Sequence, residues 1–426
     1  MNVLIIGSGG REHALALKIS KSNLLDKLYC LPGNPGTASV AENIETPVSD
    51  FESIGRVVID KSVDMVISGP EEPLVRGLRD YFESDGRFAS LRFVGPDSRG
   101  AQLEGSKDFA KEFMKKYNIP TAAFQTFTKN SIDAAFDFLK GLNPPYVLKA
   151  DGLAAGKGVL IINDIEEAKR ELKEIFEGKF GSAGERVVIE EYLDGIEMSA
   201  FAISDGKDYL ILPEAKDYKR ALDGDCGLNT GGMGAVSPVP FADAQFCKKV
   251  EERVIAPTVK GFEKEGIKYN GFIFAGLMNC NGDPYVIEYN VRMGDPESEV
   301  VLPRIKSDLL AHLVAICDGK LSEEKLEIDT RTALTVMCVS GGYPGDYEKG
   351  IEITGADSRD TESDTTLYHA GTALKVNKLV TAGGRVIAVT SFADNIEMAR
   401  VKSYKRLSKI DFKGIHYRRD IGLDLI

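Results

Sequence analysis

Short apolar runs alternate with helical patterns over the first hundred residues. The apolar runs predict strands at 3–6, 28–31, 65–67 and 91–94. Between them, apolar residues recur at helical spacing, which predicts helices at 12–22, 51–61 and 74–84. This alternation of strand and helix is typical of a Rossmann-like, doubly wound α/β domain, which we place at residues 1–103.

The pattern changes after residue 103 and predicts two α+β modules within a second domain, residues 104–325. After a helix at 107–117, a small module at about 121–191 is expected to hold strands at 125–127, 146–150, 159–162 and 186–191 and helices at 132–140 and 165–176. Antiparallel strands at 196–212 follow. Strands at 272–280 and 284–289 are joined by Asn281-Gly282, a hairpin signal, and lie between helices at 243–265 and 305–317. Residues 213–240 predict a long loop, and such loops in compact domains are usually functional.

The last hundred residues predict a small α+β domain at 326–426. Strands are expected at 332–339, 351–353, 365–369, 372–376 and 385–390, and one helix at 395–410. We find no constellation of chemical groups in this domain.

Charge and cysteine usage narrow the class of protein. The chain has 426 residues and a net charge of −12, which argues against general nucleic-acid binding. No apolar run approaches the roughly 20 residues of a membrane span, and the first residues do not form a signal peptide. The six scattered cysteines show no zinc-ligand spacing and are expected to be reduced thiols in a cytoplasmic protein.

The stretch VIEYNVRMGDPE, residues 286–297, is the strongest candidate for chemistry. Alternation along the predicted strand points Glu288 and Asn290 to the same face. A carboxylate beside an amide oxygen suits a hard cation such as Mg²⁺, which binds one or two carboxylates together with substrate phosphates. Arg292 lies two residues further along and points to the same face, where its guanidinium can donate hydrogen bonds to a carboxylate or phosphate. A strand end that is merely acidic remains the alternative for this motif alone.

The loop GSGGREH, residues 7–13, follows the first strand and opens onto a helix. Glu12 stands where a dinucleotide-binding loop has its third glycine, and the second strand ends without an acidic residue for a ribose. Free N–H groups at a helix start still bind anions, so we expect a phosphate site here. A tight strand-to-helix turn without ligand is the alternative.

Two further motifs point to a nucleotide. In KADGLAAGKGV, Gly152 and Gly156 are four positions apart and Gly158 follows Lys157, so the loop is not a Walker A motif. A small-residue loop between antiparallel strands can close over a polyphosphate, although a plain flexible hairpin is an equal alternative. In VVIEEYL, an apolar strand ends in two acids at an exposed chain edge, which can offer adenine one C=O and one N–H.

These features occur together and in an order that resembles the ATP-grasp superfamily. Within it, the chain resembles the phosphoribosylamine–glycine ligases over its whole length, through the motifs GSGGREHA, GPEEPLVRG, LEGSK, KADGLAAGKGV, NTGGMGA and RMGDPE. Met293 stands where this family usually has Phe. Lys216 and Tyr218 stand where it often has Gln and His, so no proton-transfer role is assigned to position 218.

The resemblance implies ligation of glycine to 5-phosphoribosylamine through glycyl phosphate, with ATP as substrate and Mg²⁺ or Mn²⁺ as cofactor. It implies metal binding by Glu288 and Asn290, and catalytic roles for Arg292 and Asp217. For ATP it implies Lys107, Lys149, Gly152, Gly156, Lys157, Gly158, Glu190, Glu191, Leu193 and Glu197. For the other substrates it implies Gly7, Gly9, Gly10, Asn34, Gly36, Glu71, Lys219, Arg220, Asn229, Gly231, Gly232, Gly234 and Asp295.

Two other functions stay open at this point. One is an ATP-grasp ligase or carboxylase with a different acceptor, and the other is a non-catalytic nucleotide- or NAD-binding protein. The expected partners are the small-molecule substrates, with neither nucleic acid nor membrane. The sequence leaves the oligomeric state undecided, a monomer included.

Overall fold

The computed structural model describes residues 1–152, 158–356 and 364–426. The N-terminal elements are β1 (Asn2–Gly7), α1 (Gly10–Ile19), β2 (Lys27–Pro32), β3 (Glu42–Asn43), α2 (Phe51–Asp60), β4 (Met65–Ser68), α3 (Glu71–Val75), α4 (Leu78–Glu83) and β5 (Arg92–Pro96). Strands β1 to β5 are parallel and lie in the order β3-β2-β1-β4-β5. This arrangement confirms the predicted α/β sheet.

Two helices and a small module follow. They comprise α5 (Gln102–Gly105), α6 (Lys107–Lys116), β6 (Phe124–Thr128), α7 (Ile132–Gly141), β7 (Tyr146–Ala150), β8 (Val159–Ile162), α8 (Ile165–Glu174) and β9 (Arg186–Glu190). Strands β6, β9, β7 and β8 form an antiparallel sheet under α7 and α8. We call residues 121–191 the lid module. It has a hydrophobic core of its own, so it is packed as a separate unit.

The larger module carries the candidate site. It comprises β10 (Ile196–Ser204), β11 (Tyr209–Ile211), β12 (Lys216–Asp217), β13 (Arg220–Leu222), β14 (Cys226–Asn229), β15 (Gly234–Ser237), α9 (Ala244–Val250), α10 (Ala256–Glu265), β16 (Tyr269–Cys280), β17 (Asp283–Asn290), α11 (Ser298–Val301) and α12 (Leu309–Asp318). Strand β16 pairs with β10 and β17, and its first residues pair with β5, as in Tyr269 with Pro96. One continuous sheet therefore runs from the N-terminal domain into this module.

The C-terminal elements are β18 (Thr332–Val339), β19 (Thr365–His369), β20 (Thr372–Lys375), β21 (Lys378–Thr381), β22 (Arg385–Ala393) and α13 (Ile396–Leu407). The sheet of this region takes in strands from the preceding module, in the order β12-β15-β18-β22-β19. A single hydrophobic core extends from Ile5 and Ala16 to Leu334 and Val389, so the N- and C-terminal regions are packed together.

Four details differ from the sequence prediction. The helix expected at 74–84 is two short helices, because Gly77 at φ +83° interrupts it. The expected loop 213–240 contains β12 to β15. The helix expected at 305–317 begins only at Leu309, where the Asp308 carboxylate accepts from two N–H groups of its first turn. The strand expected at 351–353 is reduced to a bridge between Glu352 and Val380, on a strand that the sequence did not predict.

No helix in the described part of the chain is long and apolar enough to cross a membrane.

Candidate active site

A β-bulge in β17 sets the direction of the two predicted metal ligands. Gly276 pairs with Glu288 whereas Leu277 pairs with Val286, so Ile287 is the extra residue. The bulge shifts the phase of the strand, and Val286 and Tyr289 both enter the core. Glu288 and Asn290 face the opposite side, each half-buried. A Cβ on Gly276 would lie 3.1 Å from Glu288 Cγ, so the glycine makes room for this carboxylate.

Positive side chains surround Glu288. Burial opposes its ionisation, but the charges of nearby lysines, Lys219 and Lys149 first, outweigh burial and lower its pKa. The charge of Glu288 in turn favours the ammonium form of Lys107, although burial keeps the Lys107 pKa below its ordinary value. The predicted lysines and the predicted carboxylate therefore meet at one place.

Glu288 and Asn290 fit a divalent cation. In the described chain, no hydrogen bond or ion pair binds the side chain of Glu288 or Asn290, so the oxygens of both are available as ligands. No cluster of three or more His, Cys, Asp or Glu that could hold a metal is found in residues 1–152, 158–356 and 364–426. One carboxylate and one amide leave most positions to phosphates and water, as Mg²⁺ prefers.

Two lysines join the lid module to the rest of the site, Lys149 from the lid and Lys107 from α6. Lys149, at the end of β7, donates to the Ile287 carbonyl at 3.0 Å, a group that the bulge releases from strand pairing. Lys107, at the start of α6, donates to the Gly152 carbonyl at 2.9 Å. The Gly158 carbonyl accepts from the Ala150 N–H and closes the base of the loop. The predicted Gly156 and Lys157 lie outside the described residues.

The chain edge predicted for adenine lies where β9 leaves the lid module. Glu191 pairs with Ala123 through both its N–H and its carboxylate, at 2.9 and 2.8 Å. In the described chain, the Glu191 carbonyl and the Leu193 N–H form no hydrogen bond. One acceptor and one donor two residues apart match the edge of adenine. Glu190 is buried and is bound by lysines.

An acidic cluster with one lysine adjoins Glu288. Lys219 pairs with Glu197 at 3.1 Å, and Ser199 donates to Glu297 at 3.1 Å. Burial and the negative charges of its neighbours raise the pKa of Asp217, while Lys219 opposes that rise. Burial, followed by the charge of Asp217, raises the pKa of Glu297 to about 7. This cluster can exchange protons and can bind an ammonium group.

Lys216 and Tyr218 flank Asp217 and face the other way. The Tyr218 hydroxyl donates to Asp424 at 2.5 Å and accepts from the Gly422 N–H at 3.0 Å, and Lys216 pairs with Asp424 at 2.7 Å. Burial raises the pKa of the Tyr218 hydroxyl, as does Asp424. These two residues anchor the last residues of the chain and so fix the strand that carries Asp217.

In the 7–13 loop, two backbone N–H groups at the start of α1, those of Gly9 and Arg11, are bonded to carboxylates. The Glu12 carboxylate accepts from the Gly9 N–H at 2.5 Å, and Asp295 accepts from the Arg11 N–H at 3.2 Å. A Cβ on Gly7, at φ +120°, would lie 2.6 Å from the Glu12 carboxyl carbon. The glycines thus admit a carboxylate belonging to the protein itself, and a substrate phosphate at this loop stays a prediction.

Glu299 lies beside this loop and is fully buried. A Cβ on Gly10 would lie 2.2 Å from Glu299 Oε1, and neither Glu299 oxygen has a hydrogen-bond partner in the described chain. Burial, and then the negative charge of Asp295, raises its pKa well above the ordinary value. Burial and the neighbouring Asp295 carboxylate therefore both favour the neutral form of Glu299.

Asn34 and Gly36 lie where the N-terminal domain meets the C-terminal one. The Asn34 amide donates to the carbonyls of Ser8 and His369, at 2.8 and 2.9 Å. His13 accepts from the His369 N–H at 2.8 Å, and a Cβ on Gly36 would strike the His13 ring at 2.3 Å. Their geometry is that of a domain contact directly beneath the 7–13 loop.

Arg292 points to the N-terminal side of the site. Its guanidinium donates to Glu104 at 2.5 Å and to Glu71 at 3.3 Å. Arg11 donates to Glu12 and to the Met293 carbonyl. Burial raises the pKa of Glu104 to about 7, against the opposing charge of Arg292. The predicted Glu71 and Arg292 thus form one network.

Arg385, at the start of β22, brings the C-terminal domain into the site. Its guanidinium donates to the carbonyls of Gly231 and Asp295, both at 2.6 Å, and pairs with Asp295 Oδ1 at 3.0 Å. A Cβ on Gly232, at φ +118°, would lie 2.3 Å from the Pro296 ring. The C-terminal domain, in which the sequence showed no constellation of chemical groups, therefore contributes one arginine that joins the glycine loop to the GDPE turn.

The remaining predicted residues lie further out. Arg220 and Asn229 pair across the β13–β14 hairpin, where Asn229 is exposed. Gly234 lies in β15 against the Thr335 carbonyl, which a Cβ would approach to 2.7 Å. These positions shape the loop around the site.

Several residues at the site were missed from the sequence: Arg11, Glu12, Glu104, Glu299 and Arg385. Arg11 and Glu12 stand in GSGGREHA and Glu104 stands in LEGSK, two motifs that we had already singled out, so their charge was a usable signal. Glu299 stands two residues beyond RMGDPE. Arg385 stands in a plain strand and gave none.

Two α+β modules that close on a strand bearing Glu288 and Asn290 define an ATP-grasp enzyme. Models of the phosphoribosylglycinamide synthetase N domain, ATP-grasp (A) domain and C domain match residues 1–104, 105–298 and 333–424. The chain belongs to the phosphoribosylglycinamide synthetase family.

Individual proteins agree with this assignment. Phosphoribosylamine–glycine ligase of Caldanaerobacter subterraneus subsp. tengcongensis is 43% identical over 423 residues, covering 99% of each chain. That of Agrobacterium fabrum is 45% identical over 426 residues, covering 100% of this chain and 99% of the relative. The crystal structure of phosphoribosylamine–glycine ligase from Thermotoga maritima is similar with a TM-score of 0.86 at 37% identity, covering 99% of this chain and 100% of that one.

A more distant structure shares the fold alone. The biotin carboxylase domain of Hydrogenobacter thermophilus 2-oxoglutarate carboxylase has a TM-score of 0.73 at 17% identity, covering 97% of this chain and 91% of that one. The ATP-grasp architecture is therefore common to enzymes with different acceptors, and the site must decide the substrate.

Proposed function

We propose that this chain ligates glycine to 5-phosphoribosylamine at the expense of ATP, giving glycinamide ribonucleotide, ADP and phosphate in de novo purine biosynthesis. The observation that carries the proposal is the meeting of Lys107 and Lys149 with Glu288, between the lid module and the larger module, in a chain of this family. The reaction needs small-molecule substrates only, and we place it in the cytoplasm.

The chemistry of the reaction explains why such a site needs both positive and negative side chains. A carboxylate resists attack by an amine because it is anionic and has no leaving group. Transfer of the terminal phosphoryl group of ATP to glycine gives an acyl phosphate, which the amine then attacks with release of phosphate. Catalysis of phosphoryl transfer consists mainly of positioning and of neutralising charge.

The nucleotide is assigned to the cleft beneath the lid module. Adenine is assigned hydrogen bonds to the Glu191 carbonyl, the Leu193 N–H and the Glu190 carboxylate. The ribose hydroxyls are assigned to Glu197. Lys107 and Lys149 leave the Gly152 and Ile287 carbonyls to bind phosphate oxygens. The loop from Gly152 to Gly158, with Gly156 and Lys157, is assigned to cover them.

Glu288 and Asn290 would hold a divalent cation, Mg²⁺ or Mn²⁺. When bound, it would supply positive charge that neutralises the phosphates. The protein itself contributes the low pKa of Glu288, which keeps this carboxylate anionic at neutral pH.

Glycine and the amine are assigned to the side walls of the cleft. Asp217, Lys219 and the 229–234 loop surround the glycine, with Arg292 as the donor toward its carboxylate. The second substrate is assigned to the surface of Asp295, Glu71 and the 7–10 loop, where Arg385 fixes the backbone.

The test is phosphate release from ATP with glycine, with and without freshly prepared 5-phosphoribosylamine. Stoichiometric release that requires both, with formation of glycinamide ribonucleotide, is expected. Hydroxylamine should trap the glycyl group when the amine is withheld. Equal rates with other carboxylates, or with bicarbonate, would assign the chain to a different ATP-grasp reaction. Glu288→Gln serves as the control for contaminating phosphatase.

A further inference from the structure

Lys111 is a buried lysine outside the site described so far. It lies on α6 one turn after Lys107, and only 2% of the residue is exposed. Its ammonium pairs with Glu190 Oε2 at 2.8 Å and donates to the Thr121 hydroxyl at 2.7 Å. Burial lowers its pKa to about 8, against the favourable charge of Glu190, so it is still protonated at neutral pH.

The two oxygens of Glu190 differ in their surroundings. Oε2 is bound by Lys111, whereas Oε1 lies 3.0 Å from the Lys149 ammonium and accepts no well-directed hydrogen bond from any described residue. A buried carboxylate oxygen without a hydrogen bond is costly, and an incoming N–H donor would relieve that cost. Glu190 is also next to the Glu191–Leu193 edge, where the free carbonyl and N–H lie.

Lys111 also connects the two ends of the lid module to the strand of the site. Thr121, which receives its hydrogen bond, donates in turn to the Val286 carbonyl on β17 at 2.6 Å. Glu190 is the last residue of β9, at the other end of the lid module. The ammonium of Lys111 therefore fixes Glu190 relative to the strand that bears Glu288.

A second positive charge is needed here for an electrostatic reason. Lys149 must leave Glu190 if it is to bind phosphate, and a buried carboxylate without a partner would then take up a proton or follow Lys149. With Lys111 on Oε2, the carboxylate stays charged and in place, with Oε1 open to a donor.

We propose that Lys111 is a positioning residue for nucleotide selection, which holds Glu190 so that its free oxygen accepts the exocyclic amino group of adenine. This inference rests on the proposed function. It predicts a preference for ATP over inosine triphosphate, which offers a carbonyl acceptor where ATP offers an amino donor.

The experiment measures kcat/KM for ATP and for inosine triphosphate in the wild type and in Lys111→Met, with glycine and 5-phosphoribosylamine saturating. A hydrogen bond to a charged group corresponds to about 10- to 100-fold, so the ATP preference is expected to fall by about that factor in Lys111→Met. Lys115→Met, which removes an exposed lysine from the same helix, should keep the preference.

A double-variant cycle separates positioning from folding. Glu190→Met should lower the preference by about the same factor as Lys111→Met, because the Glu191 carbonyl and the Leu193 N–H still favour adenine. Adding Lys111→Met to Glu190→Met should then change the preference no further. The double variant removes both buried charges, so it provides a stable protein even where Lys111→Met alone unfolds.

Three results would overturn the inference: a wild type without preference for ATP, an equal loss for both nucleotides in Lys111→Met, or a further loss of preference on adding Lys111→Met to Glu190→Met. All three leave the proposed ligation intact. Absence of ligation in the wild type would instead refute the proposed function.

Discussion

Arg385→Met tests whether the C-terminal domain takes part in the second substrate's site. The variant keeps an unbranched side chain but removes the guanidinium that binds the Gly231 and Asp295 carbonyls and the Asp295 carboxylate. We expect kcat/KM for 5-phosphoribosylamine to fall, because the GDPE turn and the glycine loop lose their shared donor.

The magnitude follows from the contacts. Two charge-assisted hydrogen bonds have a gross value of roughly 3–6 kcal/mol. The Arg385 side chain is 21% exposed, so water can replace part of what is lost. A net loss of about 2–3 kcal/mol in transition-state stabilisation corresponds to about 10²-fold in kcat/KM.

The assay is steady-state ligation, with each substrate varied in turn and a melting curve on the same preparation. Arg331→Met is the matched control, since Arg331 pairs with Asp329 and Asp364 in the same domain and is half-exposed. The reasoning is refuted if Arg385→Met and the control behave alike, or if kcat/KM for ATP falls as much as that for the amine.

Three further predictions concern other parts of the molecule. Glu288→Gln should lower kcat by about 10²–10³ with an unchanged melting curve, and wild-type turnover at saturating Mg²⁺ would contradict the metal assignment. Tyr218→Phe should lower the free energy of unfolding by about 2 kcal/mol, because Asp424 loses its buried donor. The KM values should stay unchanged in this variant. A changed KM for glycine would show that the hydroxyl acts in the site. Burial lowers the pKa of His13 to about 3 and that of His369 to about 4. Below about pH 6.5 the unfolded chain therefore binds protons that the folded chain does not. The free energy of unfolding should fall as the pH falls from 6.5 towards 4. His13→Asn keeps an acceptor for the His369 N–H. In chemical unfolding, this variant should reduce the pH dependence of the free energy of unfolding by up to about 1.4 kcal/mol per pH unit. An unchanged slope would show that His13 does not titrate in this way.

Much of the fold follows from local sequence signals. The runs at 146–150 and 159–162 are apolar and bounded by turn residues, and they form β7 and β8 with the predicted bounds. Asn281 and Gly282 both adopt positive φ, as the two-residue hairpin requires. The convergence of Lys107, Lys149 and Glu288 in the described chain was also predictable, because side chains at strand ends meet when the strands pair as expected.

The parts that failed depend on contacts between distant residues. The bulge at Ile287 exists because Val286 and Tyr289 are both buried in the core, and no local pattern records that. Glu12 interrupts a glycine motif in the sequence, yet in the structure it is the acceptor for the Gly9 N–H. Arg385 reaches the site only because the C-terminal sheet incorporates β12 and β15.

The pairing of β5 with β16 determines which parts of this protein could be exchanged with those of a relative. A chimera joined near residue 103 would combine a β5 and a β16 of different origin, and a mismatch there would leave a sheet edge open and apolar surface exposed. The lid module has its own core, and the chain enters and leaves it near Thr121 and Glu190. In shuffled libraries, crossovers at these two ends should therefore give folded proteins more often than a crossover at the boundary that the sequence suggests.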